Sequence, residues 1–147
     1  MKLNYDEFPR YLRLDRNIND KYLNPLIEDK RSVFYKKQKT RIYLFATALG
    51  FKDQLMLATE KSIDVRLFKD MSDDEVWFLF AVAIRHSGGT DILLDGKKAL
   101  EITEEFANAG MKILYNKVFN EKLDFSLENE LINVISKTKF LGANKEK

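Results

Sequence analysis

The chain has no cysteine and only one histidine, His86, among its 147 residues. Without cysteine there is no disulfide framework, no thiolate metal site and no cysteine nucleophile. A single imidazole excludes a His-rich metal centre and leaves few routes to a Ser-His-Asp triad. Long apolar runs are missing too. The longest, Val76 to Ile84, spans nine residues, about half of what a membrane-spanning helix needs. The opening Met1-Lys2-Leu3-Asn4-Tyr5-Asp6-Glu7 has no apolar h-region, so it does not read as a secretory signal, and a cytoplasmic location is expected. Neither sign of charge is in excess. The net charge is +2, which identifies no partner, and the local distribution is more informative.

Hydrophobic residues supply 45% of the chain and charged residues 33%. That balance suits a globular domain of ordinary size whose core needs no staple. No repeat or low-complexity stretch interrupts it apart from the polar end Ala143-Asn144-Lys145-Glu146-Lys147. The alternation of Leu12 and Leu14 about Arg13 predicts a short strand near Tyr11 to Arg16. Asn19 and Asp20 are candidate caps for a helix carrying Tyr22, Leu23, Leu26 and Ile27, which Pro25 should divide into two turns. Ile42, Phe45, Ala46 and Leu49 share one helical face, and Gly50 stands where a left-handed C′ residue is expected. Ile63, Val65 and Leu67 alternate with Asp64 and Arg66, predicting a second short strand.

Ser72-Asp73-Asp74-Glu75 is a capping box opening the apolar helix from Val76 to Ile84, which Gly88-Gly89 should stop. Apolar on every side, that helix reads as central, with Trp77 in the core. After Asp95-Gly96 a long helix runs to about Phe119, with Ala99, Ile102, Phe106, Ile113 and Leu114 facing inward. Lys98, Glu101, Glu104, Glu105 and Lys112 should mostly face water. Gly110 inside this helix costs roughly 1 kcal/mol relative to alanine, a cost that close approach of another helix would offset. A last helix capped by Asp124 or Ser126 carries Leu127, Leu131, Val134 and Ile135 and ends before Gly142. The expectation is a mainly α, single compact domain over residues 1–142. It should have five or six helices and at most one or two short strands, followed by a disordered polar tail at 143–147.

No pattern forces a reaction class. His86 has Asp91 and Asp95 nearby, but an imidazolium also suits a helix C-terminus. Gly88-Gly89-Thr90 lacks the further glycines and lysine of a phosphate loop. Glu101, Glu104 and Glu105 lack the second carboxylate helix of a paired-metal site. No catalytic residue, metal or cofactor is therefore assigned. The most unusual segment runs from Lys30 to Arg41: Lys30, Arg31, Lys36, Lys37, Lys39 and Arg41 occur with no acidic residue among them, and Phe34 and Tyr35 lie between. Interleaved cations and aromatics suit phosphate contact with base or sugar packing, whereas a solvated loop anchored by its rings is the plainer reading. The order strand, helix, helix over Tyr11 to Leu49 would fit a ribbon-helix-helix regulator, a homodimer with Arg13 pointing to bases. The long gap between its helices counts against it.

Three strings in order resemble an accessory family found with DNA phosphorothioation (Dnd-type) modification and restriction systems. They are Ala46-Thr47-Ala48-Leu49-Gly50-Phe51, Asp91-Ile92-Leu93-Leu94-Asp95 and Glu104-Glu105-Phe106-Ala107-Asn108-Ala109-Gly110. The likeness covers about Leu12 to Phe119, with Ala109 where the family pattern has a second glycine. The resemblance implies a non-enzymatic accessory role in an antiviral defence system, beside larger proteins that carry the enzymology. DNA is then a candidate partner through Lys30 to Arg41. The alternative is a protein-interaction subunit using Leu55, Met56 and Leu57.

Overall fold

The computed structural model describes residues 5–120. Both expected strands are present, and they pair with each other: β1 (Tyr11–Asp15) lies antiparallel to β2 (Ser62–Leu67), with Leu14 opposite Ile63 and an irregularity between Leu12 and Arg13. The alternation read from β1 has its physical basis here. Leu12 and Leu14 are buried, while Arg13 turns outward to Asp64, 3.5 Å away. Because β1 is already paired within the chain and Arg13 is engaged there, this is not the isolated strand of a ribbon-helix-helix unit.

At the end of β1 the chain enters a helical rod of three consecutive pieces: α1 (Arg16–Ile18), a π-turn at Asn19–Leu23, and α2 (Asn24–Glu28). Asp15 is the cap, accepting from the backbone N–H groups of Asn17 and Ile18. The rod therefore starts earlier than Asn19 and Asp20 suggested. Pro25 does not divide it. The turn before the proline widens, the Asn24 N–H reaching back to the Asn19 carbonyl, and so accommodates a residue with no N–H of its own.

Two long helices form the centre, α3 (Lys39–Asp53) and α5 (Gly96–Phe119). Gly50 does not end α3, as local rules suggested; the left-handed residue that does is Gln54, at φ 53°. Gly50 instead serves packing. A Cβ built there would strike the Phe106 carbonyl, and one on Gly110 would strike the Ala46 carbonyl. The two glycines let α3 and α5 approach backbone to backbone, which is the compensation expected for Gly110.

Helix α4 (Asp73–Ser87) opens on the predicted capping box, with Ser72 and Glu75 bonded reciprocally, and closes on Gly88 at φ 88°. It is less central than its composition suggested. Val76, Leu79, Phe80 and Val82 are buried, but Trp77 is 42% exposed and rests edge-on against Phe80. The hub is α5, which packs on α3, α4 and β1. Asp95 caps it by accepting from the Lys98 N–H. Its inward stripe of Ala99, Ile102, Phe106 and Leu114 is buried as expected, and Ile113 is partly so. The fold is mainly α with one small antiparallel sheet. The expected helix from Asp124 or Ser126 and the tail at 143–147 lie outside the described residues.

Candidate nucleic-acid interface

The segment Lys30 to Arg41 forms the turns between α2 and α3 and the first turn of α3. Backbone bonds fold it tightly: Ser32 N–H to the Asp29 carbonyl, Tyr35 to Ser32, and Lys36 to Ile27. Phe34 is buried and packs on Phe45, with ring centroids 5.6 Å apart. It anchors the loop and is not available to a base. Tyr35 is half-buried, and the Lys36 ammonium lies 5.3 Å from its ring centroid.

All six cations of the segment are exposed. Among the described residues, Arg31 alone of the six pairs with a carboxylate, its Nη2 lying 2.7 Å from Asp29. That hydrogen-bonded guanidinium holds the Asp29 carboxyl at about 2. Lys39 reaches the Asn19 side-chain oxygen at 3.4 Å. The start of α3 has no acidic residue in its first turn and no side-chain cap from Gln38. Its first intrahelical bond is from the Ile42 N–H to the Gln38 carbonyl. The N–H groups of Lys39, Thr40 and Arg41 thus precede the ladder at the positive end of the helix dipole.

Arg31 joins this segment to a second surface. Its guanidinium lies 5.7 Å from the ring centroid of Phe119, on the last turn of α5. Phe119 contacts Tyr115 at 4.8 Å between centroids, and Tyr115 meets Tyr22 edge-on at 5.2 Å. The Lys112 ammonium lies 6.0 Å from the Tyr22 ring. Lys112, Tyr115 and Phe119 fall at i, i+3 and i+7, one face of α5. That spacing is present in the sequence, where it overlaps the stronger inward stripe of the same helix.

The carboxylates of α5 are not uniformly solvated. Glu104 is half-buried in a groove of ≈ 570 Å³ that also exposes Tyr11, Arg13, Thr59, Lys97 and Glu101. Burial pushes its carboxyl above the ordinary value, against the lowering effects of the Thr59 hydroxyl and the Arg13 charge. Thr59 donates to Glu104 and accepts from the amide of Asn108. Asn108, fully buried, also donates to the Leu57 carbonyl and accepts from the Asp15 N–H. This polar cluster joins β1, the 57–60 segment and α5. Behind it, Tyr43 is completely buried, and among the described residues no group meets its hydroxyl in good hydrogen-bond geometry. Burial, with the Glu104 charge adding to it, raises that phenol well above its usual range, while the neighbouring Thr103 side chain lowers it.

His86 is exposed on the last turn of α4, its ring edge-on to Phe106 at 5.2 Å. Asp95 is engaged in capping α5. Among the described residues, no group of three or more His, Asp or Glu side chains could hold a metal ion, and no helix is long and apolar enough to cross a membrane.

The molecule is thus of a definite class: a small, mainly helical protein with an exposed basic loop. The chain belongs to the DNA sulphur modification system-associated protein 4 family, whose model matches residues 20–147. The match extends past the three strings into the C-terminal segment. No curated protein matches the chain, and no solved structure does.

Proposed function

We propose that this chain is a non-catalytic accessory protein of a DNA sulphur modification system that contacts DNA through Lys30, Arg31, Lys36, Lys37, Lys39 and Arg41. Membership of the family supports the association with such a system and with its larger proteins. The single observation supporting DNA contact is the exposed loop of cations running into an uncapped helix N-terminus with no acidic side chain in its first turn. Lysines there oppose the dipole, an arrangement that a bound phosphate reverses. Lys36, Lys37, Lys39 and Arg41 act as phosphate contacts, giving affinity without sequence preference. Replacing these four with glutamine is expected to weaken duplex binding and flatten its salt dependence. Unchanged affinity in that variant would sink the reading.

A second reading rests on a different observation. Leu55, Met56 and Leu57 follow α3 on a stretch without regular secondary structure and are 51%, 37% and 36% exposed. Neighbouring apolar groups left in water suit a protein partner, here one of the larger proteins of the same system. On this reading, Leu55→Ser with Met56→Ser abolishes co-purification with a neighbour-encoded protein and leaves DNA affinity unchanged. Retained co-purification would dispose of it.

A further inference from the structure

We infer that the stripe formed by Tyr22, Lys112, Tyr115, Phe119 and Arg31 is a binding site for unpaired nucleobases of a single DNA strand; this rests on the proposal that the chain binds DNA. Three observations on different elements converge. The first is the row of rings. Tyr22, Tyr115 and Phe119 are each partly exposed, with centroid separations of 5.2 and 4.8 Å. Aromatic side chains in a row, flanked by cations, make a platform that accepts any base because every base has a π-face.

The second is a groove at one end of the row. It has a volume of ≈ 240 Å³, and its lining includes Lys21, Tyr22, Lys112, Asn17 and Leu57. Two ammonium groups, one aromatic ring, one amide and one aliphatic side chain supply what a nucleotide needs: phosphate neutralisation, a stacking surface and a hydrogen-bonding edge. Lys21 and Lys112 are exposed and, among the described residues, form no ion pair. Asp15 also lines the groove, but its carboxylate is occupied by the N–H groups of Asn17, Ile18 and Glu60, so it is a weak competitor for the ammonium groups. Glu60, on the same wall, can accept from an exocyclic amine.

The third is continuity with the basic loop. Arg31, the basic loop's link to α5, sits over Phe119 at the far end of the row. A strand whose phosphates follow the loop can then lay its bases along the outer face of α5, over the roughly 10 Å that separate Lys112 from Phe119. Duplex DNA keeps its bases stacked inside and has no use for the rings. The stripe therefore favours single strands, while the loop alone serves duplex.

Fluorescence anisotropy with the full chain tests this, using an oligothymidylate of about twenty nucleotides, an abasic strand of the same length and a matched duplex. The expected result is tighter binding to oligothymidylate than to the abasic strand or the duplex. Tyr22→Leu with Tyr115→Leu should cut oligothymidylate affinity roughly tenfold or more and leave duplex affinity unchanged. Lys112→Gln, at an exposed position, should leave the fold intact and lower the single-strand salt slope by about one unit. Equal binding to oligothymidylate and the abasic strand overturns the site, whatever the tyrosine variant does. Duplex binding without any single-strand advantage also overturns it, while leaving the basic loop as the DNA contact. Binding to none of the three at low salt overturns both proposals.

Discussion

Asn108 uses its whole side-chain amide inside the protein, accepting from the Asp15 N–H and donating to the Leu57 carbonyl and the Thr59 hydroxyl. Removing it strands the buried Asp15 N–H and unpairs the part-buried Leu57 carbonyl and Thr59 hydroxyl, so Asn108→Ala is expected to cost about 2–4 kcal/mol by urea denaturation. A loss within about 0.5 kcal/mol would contradict the assigned network. Its two carboxylate neighbours respond oppositely to pH. Burial raises Asp15, but backbone N–H bonds from Glu60, Ile18 and Asn17 outweigh it, and its folded-state value is lowered. Its contribution to stability is therefore full above the unfolded value near 3.9 and is lost as pH falls through the lower folded value. Glu104 is raised, chiefly by burial. Its contribution is full below the unfolded value near 4.3 and is lost as pH rises through the raised one. At pH 7, Glu104→Gln should leave the Tm unchanged or raise it by roughly 1–3 °C, since the amide oxygen still accepts from Thr59. A fall of several degrees would show that the charged form is favoured in the groove. The network that joins these residues did not declare itself in the sequence. Apart from the local cap bonds of Asp15 to Asn17 and Ile18, their partners lie 45 to 93 positions away, and spacing rules see only near neighbours. The capping box at Ser72 and the stop at Gly88 were legible because each closes within four residues.

The contact of α3 with α5 depends on glycines whose cost is visible locally and whose benefit is not. Alanine at position 110 would gain roughly 1 kcal/mol of helix propensity. Its methyl would be driven into the Ala46 carbonyl, a backbone atom that cannot step aside, and overpacking of that kind costs about 1–3 kcal/mol or more. Packing wins, so Gly110→Ala is expected to destabilise by about 2 kcal/mol net, and Gly50→Ala similarly; chemical denaturation of either variant measures it. A stabilised Gly110→Ala protein would mean that the helices lie further apart than described. Gly50 is the matching case in α3: by local rules a glycine there looks like a helix stop, and only the partner helix shows that it is a contact. Trp77 is the converse case. Its neighbours' apolar character placed it in the core, yet the hub is α5 and one side of α4 stays in water.

Across the whole molecule the formal charge is +2, too small to bring DNA to the surface at large. Any affinity must come from local clustering, and that clustering was legible as an uninterrupted run of cations. What the sequence did not separate was the role of the rings within it, since Phe34 turned out to be an anchor, while Tyr22, Tyr115 and Phe119 assemble from distant parts of the chain. The most direct test of the account is duplex affinity, measured by anisotropy, of the full chain and of the variant with Lys36, Lys37, Lys39 and Arg41 changed to glutamine. Four phosphate contacts predict a loss of roughly a hundredfold in wild-type affinity between about 50 and 200 mM salt. The variant should lose most of that salt dependence. Salt-independent binding, or an unchanged slope in the variant, would contradict the assignment of the basic loop as the DNA contact.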